Sequence, residues 1–187
     1  MKFQKSIENK LKNSSNKESV MFTVGYSTRT MQKFIAMLKG HKINLLVDVR
    51  TIPRSRHKPE FNKERLSKIL RKNNIKYVHM KDLGGLRKPV KDSKNTGWLN
   101  SSFRGFADYM QSSEFNSAIK KLMHMASKKR VVIMCAEGNP FRCHRSLIVD
   151  AILIRGFKVY EITGLSSASE HKLTKFAKVS GTNIVYL

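Results

Sequence analysis

VVIMCAEGNPFRCHRSLIVDAILIRGF (131–157) is the stretch on which the fold turns. Its first five residues are apolar and rich in branched side chains, with a Gly/Pro-containing segment directly after Cys135, which predicts a short strand buried on both faces. A helix follows, beginning around Cys143 or His144 and running through LIVDAILI to a stop at Gly156, and FKVYEI (157–162) reads as a further strand. Strand, loop, helix and strand in that order form a crossover unit, the building block of a parallel sheet covered by helices.

The same alternation extends outward on the N-terminal side. FTVGY (22–26) reads as a strand ended by Gly25, and Thr28 as the N-cap of a helix with Phe34, Ile35 and Leu38 at helical spacing and Gly40 as its stop. INLLVDV (43–49) is a second run with the character of a buried strand. Pro53 and Pro59 mark an irregular segment, Asn62 caps a helix carrying Leu66, Ile69 and Leu70, and IKYVHM (75–80) is another strand. A long loop runs from Lys81 to about Ser101, and loops of that length inside a compact fold are often functional. Two helical pieces are predicted between Phe103 and Met125, divided near Ser112-Ser113. An amphipathic helix over about 168–179 and a strand TNIVYL (182–187) complete the pattern. The expectation is an α/β protein: a three-layer sandwich with a mainly parallel central sheet forming one domain over 21–187, preceded by a mobile basic arm over 1–20.

Charge defines the class of partner. With 37 Lys+Arg against 13 Asp+Glu, the 187-residue chain carries a formal charge of +24. Between Arg50 and Lys91 there are fourteen Lys/Arg and three acids. Such a surface attracts phosphate-bearing ligands, a nucleotide or nucleic acid first. At 40% hydrophobic residues the chain can bury a real core, which excludes a disordered basic tail. Two cysteines exclude a disulfide-stapled scaffold. The charged opening MKFQKSIENKLKNSSNK has no apolar stretch and no apolar run reaches the ~20 residues that span a bilayer, so a cytoplasmic protein without a membrane partner is expected. The oligomeric state is not legible.

Ligands of parallel sheets bind beyond the carboxyl ends of the strands, and three groups of residues converge there. Cys135 ends a strand beside Arg142, His144 and Arg145 at a helix start, where unpaired backbone N–H groups and positive charge favour anions and lower a thiol's pKa. Glu137 opposes a thiolate two residues away and fits a general base or a hydrogen-bond acceptor; Cys135, Glu137 and His144 are the candidate catalytic residues. The alternative is a small buried strand cysteine with no chemistry. Cys135, Glu137, Cys143 and His144 also carry metal-ligand atoms, but their spacing matches no standard zinc signature and neighbours on a helix point about 100° apart. No metal or cofactor is therefore expected. A disulfide or resolving-thiol relation between Cys135 and Cys143 is a further alternative.

Asp48 and Arg50 leave a second strand at the same edge, followed by Arg54, Arg56 and His57, a guanidinium-rich loop suited to bidentate phosphate recognition. For Asp48 and Arg50 an internal ion pair is the stronger reading. Tyr26 and Ser27 arrive from the first strand. In the long loop, Trp98 and Arg104 lie outside the helical stripe of Phe106, Tyr109 and Met110 and are candidates for stacking and neutralising a base.

TVGYSTRTMQKFIAML, LLVDVRTIPRSRHKPEFN, YVHMKDLGGLRKP, GWLNSSFRGFADYM and CAEGNPFRCHRS together resemble the domain-of-unknown-function family numbered 488, over residues 22–160. Its members share a Cys-Ala-Glu tripeptide, a proline and a Cys-His-Arg tripeptide, here Cys135-Ala136-Glu137, Pro140 and Cys143-His144-Arg145. That label implies no established activity. A weaker likeness is to the rhodanese domain, through Asp48-Val49-Arg50, Cys135, Arg145-Ser146 and Gly156-Phe157. It implies a rhodanese-like fold with Cys135 where a persulfide-forming cysteine sits, although the Cys135–Arg145 loop is longer than in that pattern and contains Glu137. These residues are expected to form either a cysteine-centred transferase or hydrolase acting on an anionic substrate, or a non-catalytic nucleic-acid-binding module using the same basic face. A partner-binding domain whose charge only keeps it soluble is the third alternative.

Overall fold

The computed structural model describes residues 19–187, so all but the last two positions of the expected mobile arm lie outside the described residues. Eight strands are present among them: β1 (Val20–Gly25), β2 (Leu45–Asp48), β3 (Lys76–His79), β4 (Val131–Cys135), β5 (Lys158–Ile162), β6 (Ala168–Glu170), β7 (Ala177–Ser180) and β8 (Asn183–Tyr186). The helices are α1 (Met31–Gly40), α2 (Lys63–Lys72), α3 (Ser101–Tyr109), α4 (Ser113–Lys128) and α5 (Arg145–Leu153). The main sheet has the order β3-β2-β4-β1-β5-β6, parallel through β5 and antiparallel at β6.

Side chains alternate across the buried strands, so each strand feeds two cores. Val132 and Met134 join Phe22, Val24 and Leu46 under Phe34 and Leu38 of α1 and Leu66 and Leu70 of α2. Val131, Ile133 and Cys135 face the other way, toward Phe106 of α3, Ile119 and Leu122 of α4 and Leu147 and Ile148 of α5. Both faces are covered, and the sheet is mixed α/β and mostly parallel, as expected.

Two local expectations are corrected. Thr30, not Thr28, caps α1, its hydroxyl accepting from the backbone N–H of Lys33 at 3.3 Å. Residues 168–179 form no helix. Ala168–Glu170 instead pairs with the outer edge of β5, and Ala177–Ser180 forms a ribbon with β8. The open edge of β5 offers hydrogen bonds that an amphipathic helix would leave unmade. Gly181, at φ +58°, makes the tight reversal between β7 and β8 accessible at no steric cost. TNIVYL thus lies in this separate ribbon, with Ile184 and Tyr186 buried against the α3–α5 core.

Strand order positions the site. From β2 the chain moves outward to β3, whereas from the neighbouring β4 it passes β1 to reach β5. The loops leaving β2 and β4 therefore diverge and open a crevice between the two carboxyl ends, the place where such sheets bind ligands.

Candidate active site

A cavity of about 410 Å³ occupies that crevice, lined by Cys135, Glu137, Arg142, Cys143 and His144 from the β4–α5 loop, Arg50 and Arg54 from the β2 loop, and Tyr26 after β1. Gly85, Leu86 and Phe103 close the far side, so the long loop after β3 contributes a wall. Cys135 is 9% exposed and Cys143 4%.

The two sulfurs and a ring nitrogen of His144 lie within 4.8 Å of one another. The expectation that Cys143 and His144 diverge on one helix is corrected: Cys143 precedes α5 in extended conformation (φ −131°, ψ 138°) and His144 is the N-cap, so both side chains turn back on Cys135. His144 Nε2 lies 3.1 Å from the Val49 carbonyl, which can only accept, so Nε2 carries a proton and Nδ1 is the nitrogen turned toward the sulfurs, 3.8 Å from Cys143 Sγ. A hydrogen bond from the Cys143 thiol holds the Cys135 pKa well below the ordinary thiol range; burial opposes this, and His144 and Arg145 reinforce it. The Cys143 thiol is pushed up in turn by its interaction with Cys135 and by burial. The two shifts run in opposite directions because Cys143 is the donor and Cys135 the acceptor of their shared hydrogen bond.

The start of α5 does not serve as an open anion site. Its first N–H groups turn inward: Arg145 N donates to Cys143 Sγ at 3.5 Å and Ser146 N to the Cys143 carbonyl at 3.0 Å. The first N–H groups of the helix are thus taken up by the sulfur and carbonyl of Cys143.

The arginines divide into buried braces and exposed contacts. Arg145, expected to bind anion, is completely buried. Its Nε donates to Thr23 Oγ1 at 2.8 Å, one terminal nitrogen to the Glu137 carbonyl at 2.8 Å, and the other approaches Glu161 at 3.5 Å. A guanidinium with its donors so engaged positions the loop and cannot clamp a substrate. Arg50 is braced likewise: its Nε donates to Asp48 Oδ1 at 2.9 Å, and its terminal nitrogens donate to Asp48 Oδ2 at 2.6 Å, the Phe61 carbonyl at 2.9 Å and Tyr26 Oη at 3.0 Å. The internal ion pair is thus the one formed, and the Tyr26 ring, stacked on Phe61 at 4.1 Å, is part of the same brace.

Arg54 and Arg142 are exposed at the cavity mouth, and their guanidinium groups have no hydrogen-bond partners among the described residues. Arg56 and His57 are exposed but do not line the cavity, and Ser27 faces solvent beside the 136–138 loop, its N–H donating to the Ala136 carbonyl. Glu137 lines the cavity while its Oε1 accepts from Asn139 N at 3.0 Å, so it shapes the loop's turn. Trp98 is corrected as a surface candidate: its ring packs against Phe103, Phe176 and Tyr186 at 4.7, 5.0 and 5.5 Å, and Arg104 Nε donates to its carbonyl at 3.0 Å.

Sequence reasoning missed Gly85. A Cβ there would stand 2.5 Å from His144 Cγ and Nδ1. The only forewarning was the Gly84-Gly85 pair inside a long loop, since a glycine with no turn to make often marks a close approach. Gly85→Ala is expected to push the imidazole off the sulfurs. Losing one such interaction is worth about 1 kcal/mol, so the neutral-pH alkylation rate of Cys135 falls about fivefold; an unchanged rate would show that His144 does not act on the thiol.

These features define an α/β protein with a buried thiol pair at a strand-end crevice. Residues 30–152 match the family described as Domain of unknown function DUF488, and the chain belongs to that family. Comparison with curated proteins gives no match, and comparison with solved structures gives none. No helix among the described residues is long and apolar enough to cross a membrane.

Proposed function

We propose that the protein is an enzyme in which Cys135 acts covalently on an anionic substrate, a nucleotide or nucleic acid. The observation that carries this reading is the Cys135 sulfur, favoured as thiolate, facing a cavity whose mouth bears the exposed Arg54 and Arg142. Cys135 supplies the nucleophile or carries sulfur, Cys143 donates the hydrogen bond that stabilises it, His144 exchanges protons through Nδ1, and the two arginines hold the anion. A transferase or hydrolase of this kind needs no cofactor. A rhodanese-like mechanism is supported by Cys135 at the strand end beside Asp48-Val49-Arg50, and its direct test is mass analysis after exposure to a sulfane-sulfur donor. One sulfur gained at Cys135, and none in Cys135→Ser, is the expected outcome.

A second reading is favoured by the ligand geometry. Two cysteine sulfurs and one imidazole nitrogen within 4.8 Å could hold zinc with a fourth position open. Elemental analysis of the purified protein separates the two: stoichiometric zinc lost in Cys143→Ser supports the metal centre, whereas metal-free protein with full Cys135 reactivity supports the nucleophile.

The anion reading makes its own prediction. Binding of a single-stranded oligonucleotide is expected to weaken steeply with salt, by about tenfold or more between roughly 50 and 200 mM. Arg54→Ala and Arg142→Ala should each reduce the logarithmic salt slope by about 1. Equal slopes in all three proteins would place the nucleic acid elsewhere on the basic surface. Binding that depends on these arginines, with no covalent chemistry at Cys135, would favour the non-catalytic module.

A further inference from the structure

A second cavity, of about 600 Å³, lies behind the β4–α5 loop. The loop is the partition: Glu137 and Arg142 face the thiol cavity, whereas Pro140 and Phe141 face the second one. Its volume falls within the range of small-molecule sites. Phe141, Leu173 and Phe176 supply apolar wall, with Phe141 77% exposed at the entrance.

Three buried side-chain atoms lack a hydrogen-bond partner among the described residues: Trp98 Nε1, Glu161 Oε2 and His171 Nε2. All three residues line this one cavity. Glu161 is 6% exposed and His171 9%. Buried polar groups are ordinarily paired, and leaving one unpaired costs about 1–3 kcal/mol, so three around one hollow mark it as suited to a polar ligand. Glu161 is held through its other oxygen, Oε1, by Arg145 at 3.5 Å, and the His171 ring stands beside Asp150, its Nε2 3.5 Å from Oδ1 without a hydrogen bond between them. Asp150 accepts from Tyr186 Oη and Thr174 N, so a proton on His171 Nε2 is the arrangement that suits it.

The unmet requirements are specific. Glu161 Oε2 needs a donor, and the Trp98 indole N–H and the single His171 Nε2–H, which makes no hydrogen bond to Asp150 at 3.5 Å, each need an acceptor. We propose that this cavity is a nucleobase site for a base bearing a ring N–H beside a carbonyl, as guanine does, with the N–H on Glu161 and the carbonyl on the indole or imidazole. Phe141, Leu173 and Phe176 cover its faces. Exposed Lys172 and Lys175 on the same rim suit the phosphate of a nucleotide. This inference rests on the proposed function only for the choice of a nucleotide, which here binds on the far side of the loop from Cys135. It does not depend on the chemistry of Cys135.

Trp98 is the chain's single tryptophan, so its fluorescence reports occupancy directly. Guanosine, which has no phosphate, is expected to change the Trp98 emission saturably, and at least about tenfold more tightly than adenosine. Leu173→Arg, an exposed-edge change that fills the cavity, abolishes the response. Trp98→Phe, followed by calorimetry, keeps the ring and removes the donor, weakening guanosine binding about tenfold. Cys135→Ser should bind guanosine as wild type does, so a failed thiol assay and a failed base site are told apart. Guanosine monophosphate binding as tightly as a short guanosine-containing RNA assigns a free nucleotide; at least tenfold tighter binding of the RNA assigns a base within a strand. No saturable response to guanosine, adenosine binding as tightly, or full binding by Leu173→Arg each overturns the proposal.

Discussion

Iodoacetamide is expected to modify Cys135 nearly as fast at about pH 6.5 as at about pH 8, a fall of less than about threefold, where a thiol of ordinary pKa near 8.5 slows by about twentyfold. The sign follows from the site: Cys143 donates to the Cys135 sulfur, and His144 and Arg145 stand beside it, so the thiolate persists below the pH at which a free cysteine is protonated. Cys143→Ser keeps a hydrogen-bond donor and should leave the profile low, whereas Cys143→Ala removes the donor and should move it upward. His144→Ala tests the imidazole separately. A profile in wild type that follows an ordinary thiol, or labelling that goes first to Cys143, contradicts the assignment. Access is part of the prediction, because Cys135 is only 9% exposed and is reached through the cavity. A nucleotide filling that cavity should therefore protect it.

Arg145→Met is expected to cost about 3–5 kcal/mol of stability, the penalty for stripping one partner from a buried charge pair. In a protein of this size that lowers the melting temperature by about 6–20 °C. The side chain is fully buried and ties Thr23 of β1, the Glu137 carbonyl and Glu161 of β5 to the start of α5. Burial raises the Glu161 pKa even with the cation in place, and removing the cation raises it further. A carboxyl whose folded pKa lies above its unfolded value of about 4.3 loses stability as pH rises through the folded pKa. The deficit of Arg145→Met is thus largest near neutral pH and shrinks as the solution is acidified. Arg145→Met with Glu161→Gln should recover part of the loss, read as a coupling in a double-mutant cycle. A loss below about 1 kcal/mol, independent of pH, would mean that Arg145 is not the brace described.

Arg145 also shows where sequence reading runs out. An arginine next to a candidate catalytic loop reads as a ligand contact, because charged residues are rarely buried. Nothing local signals that Thr23, 122 residues away, and Glu161 receive it. Arg50 was more legible, since its partner Asp48 lies two residues before it on the same strand end. The five parallel strands were legible for a related reason: VVIMC and INLLVDV are apolar on both faces, and only a covered parallel sheet uses such runs. Residues 168–179 failed because their apolar spacing fits a helix, while the competing demand, the unpaired edge of β5, comes from another part of the chain. The approach of Cys143 to Cys135 depended on an extended residue before α5, a backbone choice that spacing alone cannot reveal.

The central claim is that Cys135 is a thiolate stabilised by its neighbours. Its most direct measurement is the difference between wild type and Cys135→Ser in ultraviolet thiolate absorbance across a pH titration. A single ionisation at Cys135 well below the ordinary value of about 8.5, displaced upward in Cys143→Ala, is the result predicted. An ionisation at or above that value, unmoved by Cys143→Ala, would contradict it.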